Sequence, residues 1–148
     1  MMNNSVEREV KGDREIAENA KGALERVCSG KGLDDPSRYY SPEFVDHVNG
    51  MKLEGLEGVR RSVELYTKLL SDIEIVVKDQ LVDGDRVTSR FVMTGTSYGR
   101  RVRFNGITIS RFKDGLIVED WSVTDSLTML RQLGVLRSVI VGVRQWKP

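Results

Sequence analysis

The sequence predicts an α+β domain: a strongly curved antiparallel sheet covered by helices from the N-terminal half. Three observations lead there. Apolar residues recur at helical spacing at Ile16, Ala20, Ala23, Leu24 and Val27, and again at Val59, Val63, Tyr66, Leu69 and Leu70. From Ser71 the period becomes two, with Ile73, Ile75 and Val77 on one side of a strand. Turn signals at Asp83-Gly84, at Gly99 and at Asp114-Gly115 then divide the second half into long hairpins. Helices first and strands later segregate the two element types, which places the helices on one face of the sheet. A twisted sheet with helices on its concave side leaves a cone-shaped hollow, the natural seat of a small ligand.

The elements follow in order. Residues 1–12 are polar and read as a disordered lead-in. A helix is expected over 13–29, stopped by Gly30 and Gly32. Asp34 or Asp35 before Pro36 caps a short helix through Tyr40, which Ser41-Pro42 breaks. Phe44–Val48 reads as a short strand ended by Gly50, and a helix follows over 56–70. Strands are expected over 72–82, 86–95, 101–112 and 116–123, then a short helix from Ser126 to Leu133 closed by Gly134. The main domain is thus 13–134. The extension 135–148 alternates apolar with basic residues and is expected to pack on the domain or across a dimer.

Composition narrows the function. A chain of 148 residues fits one domain, and 39% hydrophobic with 30% charged residues is ordinary for a globular protein. A net charge of +1 gives no general field for nucleic acid or acidic membranes. No apolar run approaches membrane-spanning length, and the polar start lacks the apolar centre of a signal peptide. The single cysteine, Cys28, cannot form an internal disulfide and sits among apolar helix positions, which suits a reducing, cytoplasmic setting and a structural thiol. Neither a metal cluster nor a phosphate-binding loop is legible, so no cofactor or metal is expected.

The stretch from Arg111 to Asp125, Arg-Phe-Lys-Asp-Gly-Leu-Ile-Val-Glu-Asp-Trp-Ser-Val-Thr-Asp, is distinctive, as is Leu127-Thr-Met-Leu-Arg-Gln-Leu-Gly134. Together they resemble the SnoaL-like polyketide cyclases and ester-cyclase-type proteins of the nuclear transport factor 2-like superfamily. Echoes upstream are Phe44-Val-Asp-His47, Gly55-Leu-Glu-Gly-Val59, Asp83-Gly-Asp-Arg-Val87 and Thr94-Gly-Thr96. The resemblance implies a cone-shaped α+β barrel, often dimeric through its sheet, and a metal- and cofactor-free cyclase, isomerase or hydrolase acting by general acid/base catalysis on a lipophilic or polyketide-like molecule. Two positions depart from the pattern. Ser97 follows Thr96 where many relatives have histidine, and Thr108 and Ile109 stand where many carry a carboxylate. Ring closure by the usual family residues is therefore not expected.

The remaining titratable candidates are His47, Glu119 and Asp125, whichever points inward. His47 is the one histidine, and an imidazole suits proton transfer near neutral pH. It also reads as a hydrogen-bonded wall residue. Glu119 shares a strand face with Trp121; facing the cavity, its pKa would rise by desolvation, and facing outward it would pair with Arg111 or Arg90. Asp125 reads as a helix N-cap or as a group at the cavity mouth. Tyr66, Phe91, Met93, Tyr98, Thr108 and Trp121 are the expected substrate-binding lining. Val76, Val92 and Val118 leave the outer sheet face partly apolar, which predicts a homodimer packed sheet against sheet. A non-catalytic binding or dimerisation module is the alternative.

Overall fold

A computed structural model describes residues 3–134. Helix α1 spans Asn3–Gly22 and runs on into a π-helical turn over Ala23–Cys28. A single 3-10 turn covers Pro36–Arg38. Then come β1 (Tyr40–Val48), β2 (Met51–Glu54), α2 (Gly55–Thr67), β3 (Ser71–Asp83), β4 (Arg86–Ser97), β5 (Arg100–Lys113), β6 (Leu116–Thr124) and α3 (Ser126–Leu133).

The strands form one curled sheet in the order β2-β1-β6-β5-β4-β3, open because the edge strands β2 and β3 are not paired to each other. The α+β class is as the sequence predicts. One pairing corrects the expectation of a wholly antiparallel sheet: β1 runs parallel to β6, with Asp46 opposite Asp120 and His47 opposite Trp121. The chain between them travels through α2 and three hairpin-linked strands, so a strand from the N-terminal part returns beside the last one. No local pattern encodes that meeting.

Three local expectations are corrected. The stretch before Asp13 is helical rather than a lead-in. Glu7, Arg8, Glu9 and Lys11 are good helix formers, and Glu7 stands four residues before Lys11, so these turns form without an apolar stripe and stay exposed. Ser41-Pro42 does not break the chain but lies inside β1, in the stretch between Tyr40 and Val45 where the register with β6 shifts. A bulge is where a strand tolerates the missing N–H of proline. Strand β2 was not expected; Asn49 and Gly50, both at positive φ, form the two-residue turn that folds it onto β1. The extension 135–148 lies outside the described residues.

The helices cover one face, here called inner. Ala20, Ala23 and Val27 of the first helix and Val59 of α2 pack with Phe44, Val87, Phe112 and Ile117. Leu24, Tyr66 and Met129 pack with Ile73, Ile75, Phe91, Met93, Val102 and Phe104 further along the sheet. Gly106 of β5 has a packing reason: a Cβ there would meet the Phe91 ring at 2.3 Å, so the missing side chain is what lets that ring lie flat on the sheet. The outer face carries no helix among the described residues. Val76, Ile107 and Val123 are exposed there, whereas Val92, at 5% exposure, is shielded by its strand neighbours.

Candidate functional site

Between the helices and the inner face lies a small cavity of about 40 Å³. Leu24 and Cys28 of the π-helical turn and Ser62, Val63 and Tyr66 of α2 close it from above. Val48, Ile75, Phe91, Met93, Thr108, Ser122 and Thr124 line it from the sheet. The π turn matters here because the extra residue in each hydrogen-bonded ring widens the helix and shifts its face, and such turns recur at functional sites.

The cavity is mostly apolar with a stripe of hydroxyls. Thr108 and Ser122, opposed on β5 and β6, join Oγ1 to Oγ at 2.9 Å. At one end Asn49 Nδ2 donates to the Tyr66 hydroxyl at 3.0 Å, and that hydroxyl meets Thr124 Oγ1 at 3.0 Å. Thr124 N–H donates to Asn49 Oδ1 at 3.1 Å, so the β1–β2 turn, α2 and the end of β6 are tied together at that end of the cavity. Burial pushes the Tyr66 phenol up, against the opposing pull of its bonds to Thr124 and Asn49, so it stays a neutral donor or acceptor.

One inward-facing position deeper along each strand, the wall turns acidic. Asp46 precedes Val48, Asp120 precedes Ser122, and Ser110 follows Thr108. These three side chains are buried, at 6%, 7% and 3% exposure. Burial raises the Asp120 carboxyl to about 8, helped by the nearby Asp46 and opposed by a hydrogen bond with Ser110. Asp46 is also raised by burial, opposed by the Ser62 hydroxyl and by His47. Cys28, pushed up to about 12 by burial, contacts the Tyr40 hydroxyl at 3.6 Å beside the same pair and is an inert neutral thiol.

The structure places the sequence candidates in four separate locations. Tyr66, Phe91, Met93 and Thr108 line the cavity. His47, Glu119 and Trp121 lie together on the outer face. There His47 Nε2 donates to Glu119 Oε1 at 3.0 Å, and Arg111 Nη2 donates to Glu119 Oε2 at 2.8 Å. The Trp121 ring stacks on His47, with centroids 5.5 Å apart, and the Arg86 guanidinium lies over the Trp121 ring, 5.5 Å from its centroid. Trp121 therefore does not shape the cavity, and the Glu119 carboxyl is lowered, by Arg111 first and His47 second, rather than raised. Asp125 caps α3, accepting from Thr128 N–H at 2.9 Å, and that bond lowers its carboxyl. Tyr98 is corrected from cavity lining to the tip of the β4–β5 turn, fully exposed at positive φ.

The inner acids Asp46 and Asp120 were missed. The signal was present: Asp46 alternates with Phe44 and Val48, and Asp120 takes the face opposite Trp121. Which face turns inward is decided by the helices, which strand alternation does not reveal. Among the described residues no three of His, Cys, Asp and Glu converge as metal ligands, and no helix is long and apolar enough to cross a membrane.

Residues 18–133 match the model of the SnoaL-like polyketide cyclases. The chain belongs to that family. Among solved structures it is similar to one from Bacillus cereus described as a candidate polyketide cyclase, at 31% identity over 81% of this chain and 80% of that one, with a TM-score of 0.72. It is also similar to IdmH of Streptomyces antibioticus, described in the same way, at 26% identity over 80% and 98% of the two chains, TM-score 0.71. A further likeness, at 26% identity over 80% and 86%, TM-score 0.65, is to AclR of Streptomyces galilaeus, described as a candidate hydroxylase. Among proteins of curated function none matches. Within the SnoaL-like family, then, this member carries Thr108 and Ser122 at the cavity wall and its acids one layer beneath.

Proposed function

We propose that this chain is a small-molecule pocket protein working as a cofactor-free general acid/base enzyme of the cyclase, isomerase or hydrolase kind, on a lipophilic, polyketide-like substrate. The observation that carries this reading is one hollow in which hydroxyls from β5, β6 and α2 converge against apolar walls, with buried acids directly below. Apolar walls hold a lipophilic body, while a few fixed polar groups orient it. The names given to the Bacillus and Streptomyces neighbours support the same chemistry for this chain. His47, Glu119 and Asp125 stand away from the hollow, so proton transfer falls to groups on the inner face. The exposed Val76, Ile107 and Val123 support a homodimer through the outer face, and the single-cysteine composition supports a cytoplasmic setting.

The size of the cavity favours a second reading, a non-catalytic ligand-binding or dimerisation module. A volume near 40 Å³ holds a few waters, not a ring system, until the Asn49–Tyr66–Thr124 end opens. A thermal-shift screen with aromatic polyketides and small lipophilic acids, followed by product analysis of any hit, separates the two. A ligand at about 100 times its Kd stabilises the fold by roughly 2.7 kcal/mol. Binding with turnover supports the enzyme, and tight binding without turnover supports the module. No stabilisation by any compound, with Thr108→Val and Tyr66→Phe equally inert, counts against both.

A further inference from the structure

Asp46 and Asp120 are directly opposed on the parallel strands β1 and β6, both on the inner face and both buried. Placing two carboxylates side by side away from water is costly unless one keeps its proton. Among the described residues no cation on the inner face holds both ionised. Cys28 and Tyr40 face the pair from the π turn and the start of β1, and both are neutral. Ser62 on α2 and Ser110 on β5 offer hydroxyls. His47 acts on Asp46 only from the far side of the sheet.

One atom is unaccounted for. Asp120 Oδ1 is, among the described residues, the buried side-chain oxygen or nitrogen with no hydrogen-bond partner. An orphaned buried polar atom is costly, and one kept in an interior calls for a partner the structure does not hold. It lies in the layer next to the cavity: Ser62 and Cys28 belong both to the cavity lining and to the surroundings of the acid pair, and Ser122 is the next inward residue after Asp120.

We propose that Asp46 and Asp120 form an acid pair that carries one proton beneath the cavity, borne on Asp120 Oδ1, and that this O–H donates to the carbonyl oxygen of a ketone-bearing ligand. Asp46 is the member that ionises, because each acid has one serine hydroxyl, Ser62 or Ser110, and only Asp46 also has the outlying His47 to favour its charge. Asp120 keeps the proton, because its neighbours are Asp46 and neutral groups. A protonated carboxyl has a donor to offer where a carboxylate has none, so this site selects a hydrogen-bond acceptor. The ligand half of this proposal rests on the pocket reading above; the proton-sharing half does not.

The test uses the full chain, labelled at the aspartate carboxyl carbons, and NMR titration from pH 4 to 10. One aspartate assigned by its loss in Asp120→Asn should titrate near pH 8, and in Asp46→Asn that midpoint should fall, because the like charge is gone. Titration of Asp120 in the ordinary carboxylate range, or a midpoint indifferent to Asp46→Asn, overturns the pair. For the ligand half, acetophenone is compared with α-methylstyrene, which has the same shape without the carbonyl oxygen. Acetophenone should bind better at pH 6, and its affinity should fall about tenfold above pH 9 and in Asp120→Asn, the loss of one hydrogen bond. The hydrocarbon should be unaffected by either change. The wild-type pH series keeps this test valid even where a variant folds poorly. If both probes bind alike at every pH, the donor role is wrong while the pocket stands. If neither binds, the pocket reading and the donor role both fall, and the titration alone judges the pair.

Discussion

His47 Nε2 donates to Glu119 Oε1 at 3.0 Å on the outer face of the sheet, while the residues beside them in sequence, Asp46 and Asp120, oppose each other on the inner face. The same two strand segments thus build two clusters of opposite character. The outer one is an ion pair with Arg111, half open to water and satisfied. The inner one is acidic, buried and one hydrogen bond short. The distinction decides where substitutions should be felt.

The inner acids make stability depend on pH in an uncommon direction. Asp120 has a folded pKa raised from 3.8 to about 8, so the folded state holds a proton that the unfolded state gives up. Its stabilising contribution is full below the unfolded value and is lost as pH rises through about 8. Asp46, shifted the same way, adds to the trend. Denaturant unfolding should therefore show stability falling between pH 5 and pH 9, with a slope of at most about 1.4 kcal/mol per pH unit for one proton. Asp120→Asn should flatten that slope; an unchanged slope counts against the assignment.

Glu119 behaves in the opposite sense. Its carboxyl is lowered by Arg111 and His47, so its contribution is present above the unfolded value of 4.5 and is lost as acid carries the pH through the folded one. Because the pair is partly exposed, Glu119→Gln should cost about 1 kcal/mol or less at pH 7. Ligand binding in the cavity should be unaltered. Calorimetry and the same thermal-shift ligands measure both, and a large loss of binding would place the functional site on the outer face instead.

Asp125→Ala should remove the α3 cap, read as a lower unfolding midpoint with an unchanged denaturant slope. Cavity ligands should bind as before. A selective loss of turnover in this variant, with the fold intact, would return Asp125 to the acid/base role.

Gly106→Ala should be felt through Phe91, whose ring occupies the space a Cβ would need. Overpacking of this kind costs about 1–3 kcal/mol and should disturb ligand binding as well, since Phe91 lines the cavity. Gly106→Ala combined with Phe91→Leu should recover part of the stability. An additive loss in the double variant would mean the two positions do not meet.

The four long strands and the helix of Tyr66 were legible because each rests on a local period, and the hairpins because Asp83-Gly84 and Asp114-Gly115 specify tight turns. The family was legible because its motif is contiguous, from Arg111 to Gly134. Alternation also fixed which residues travel together: Glu119 with Trp121, and Asp120 apart from them.

What alternation cannot fix is which of two faces the helices cover, because both faces of β1 and β6 mix polar with apolar side chains. That choice belongs to the tertiary structure. It was made by Ala20, Val27 and Val59 docking on Phe44, Phe112 and Ile117, and by the parallel meeting of β1 with β6 across some seventy residues of chain. Burying Phe44 carried Asp46 inward, and the register shift on β6 between Ile117 and Glu119 let Ile117 and Asp120 both face the helices while His47, Glu119 and Trp121 turned out. The sequence by itself determined the four long strands, their hairpin turns and the family; the burial of that apolar set decided which acids face the cavity.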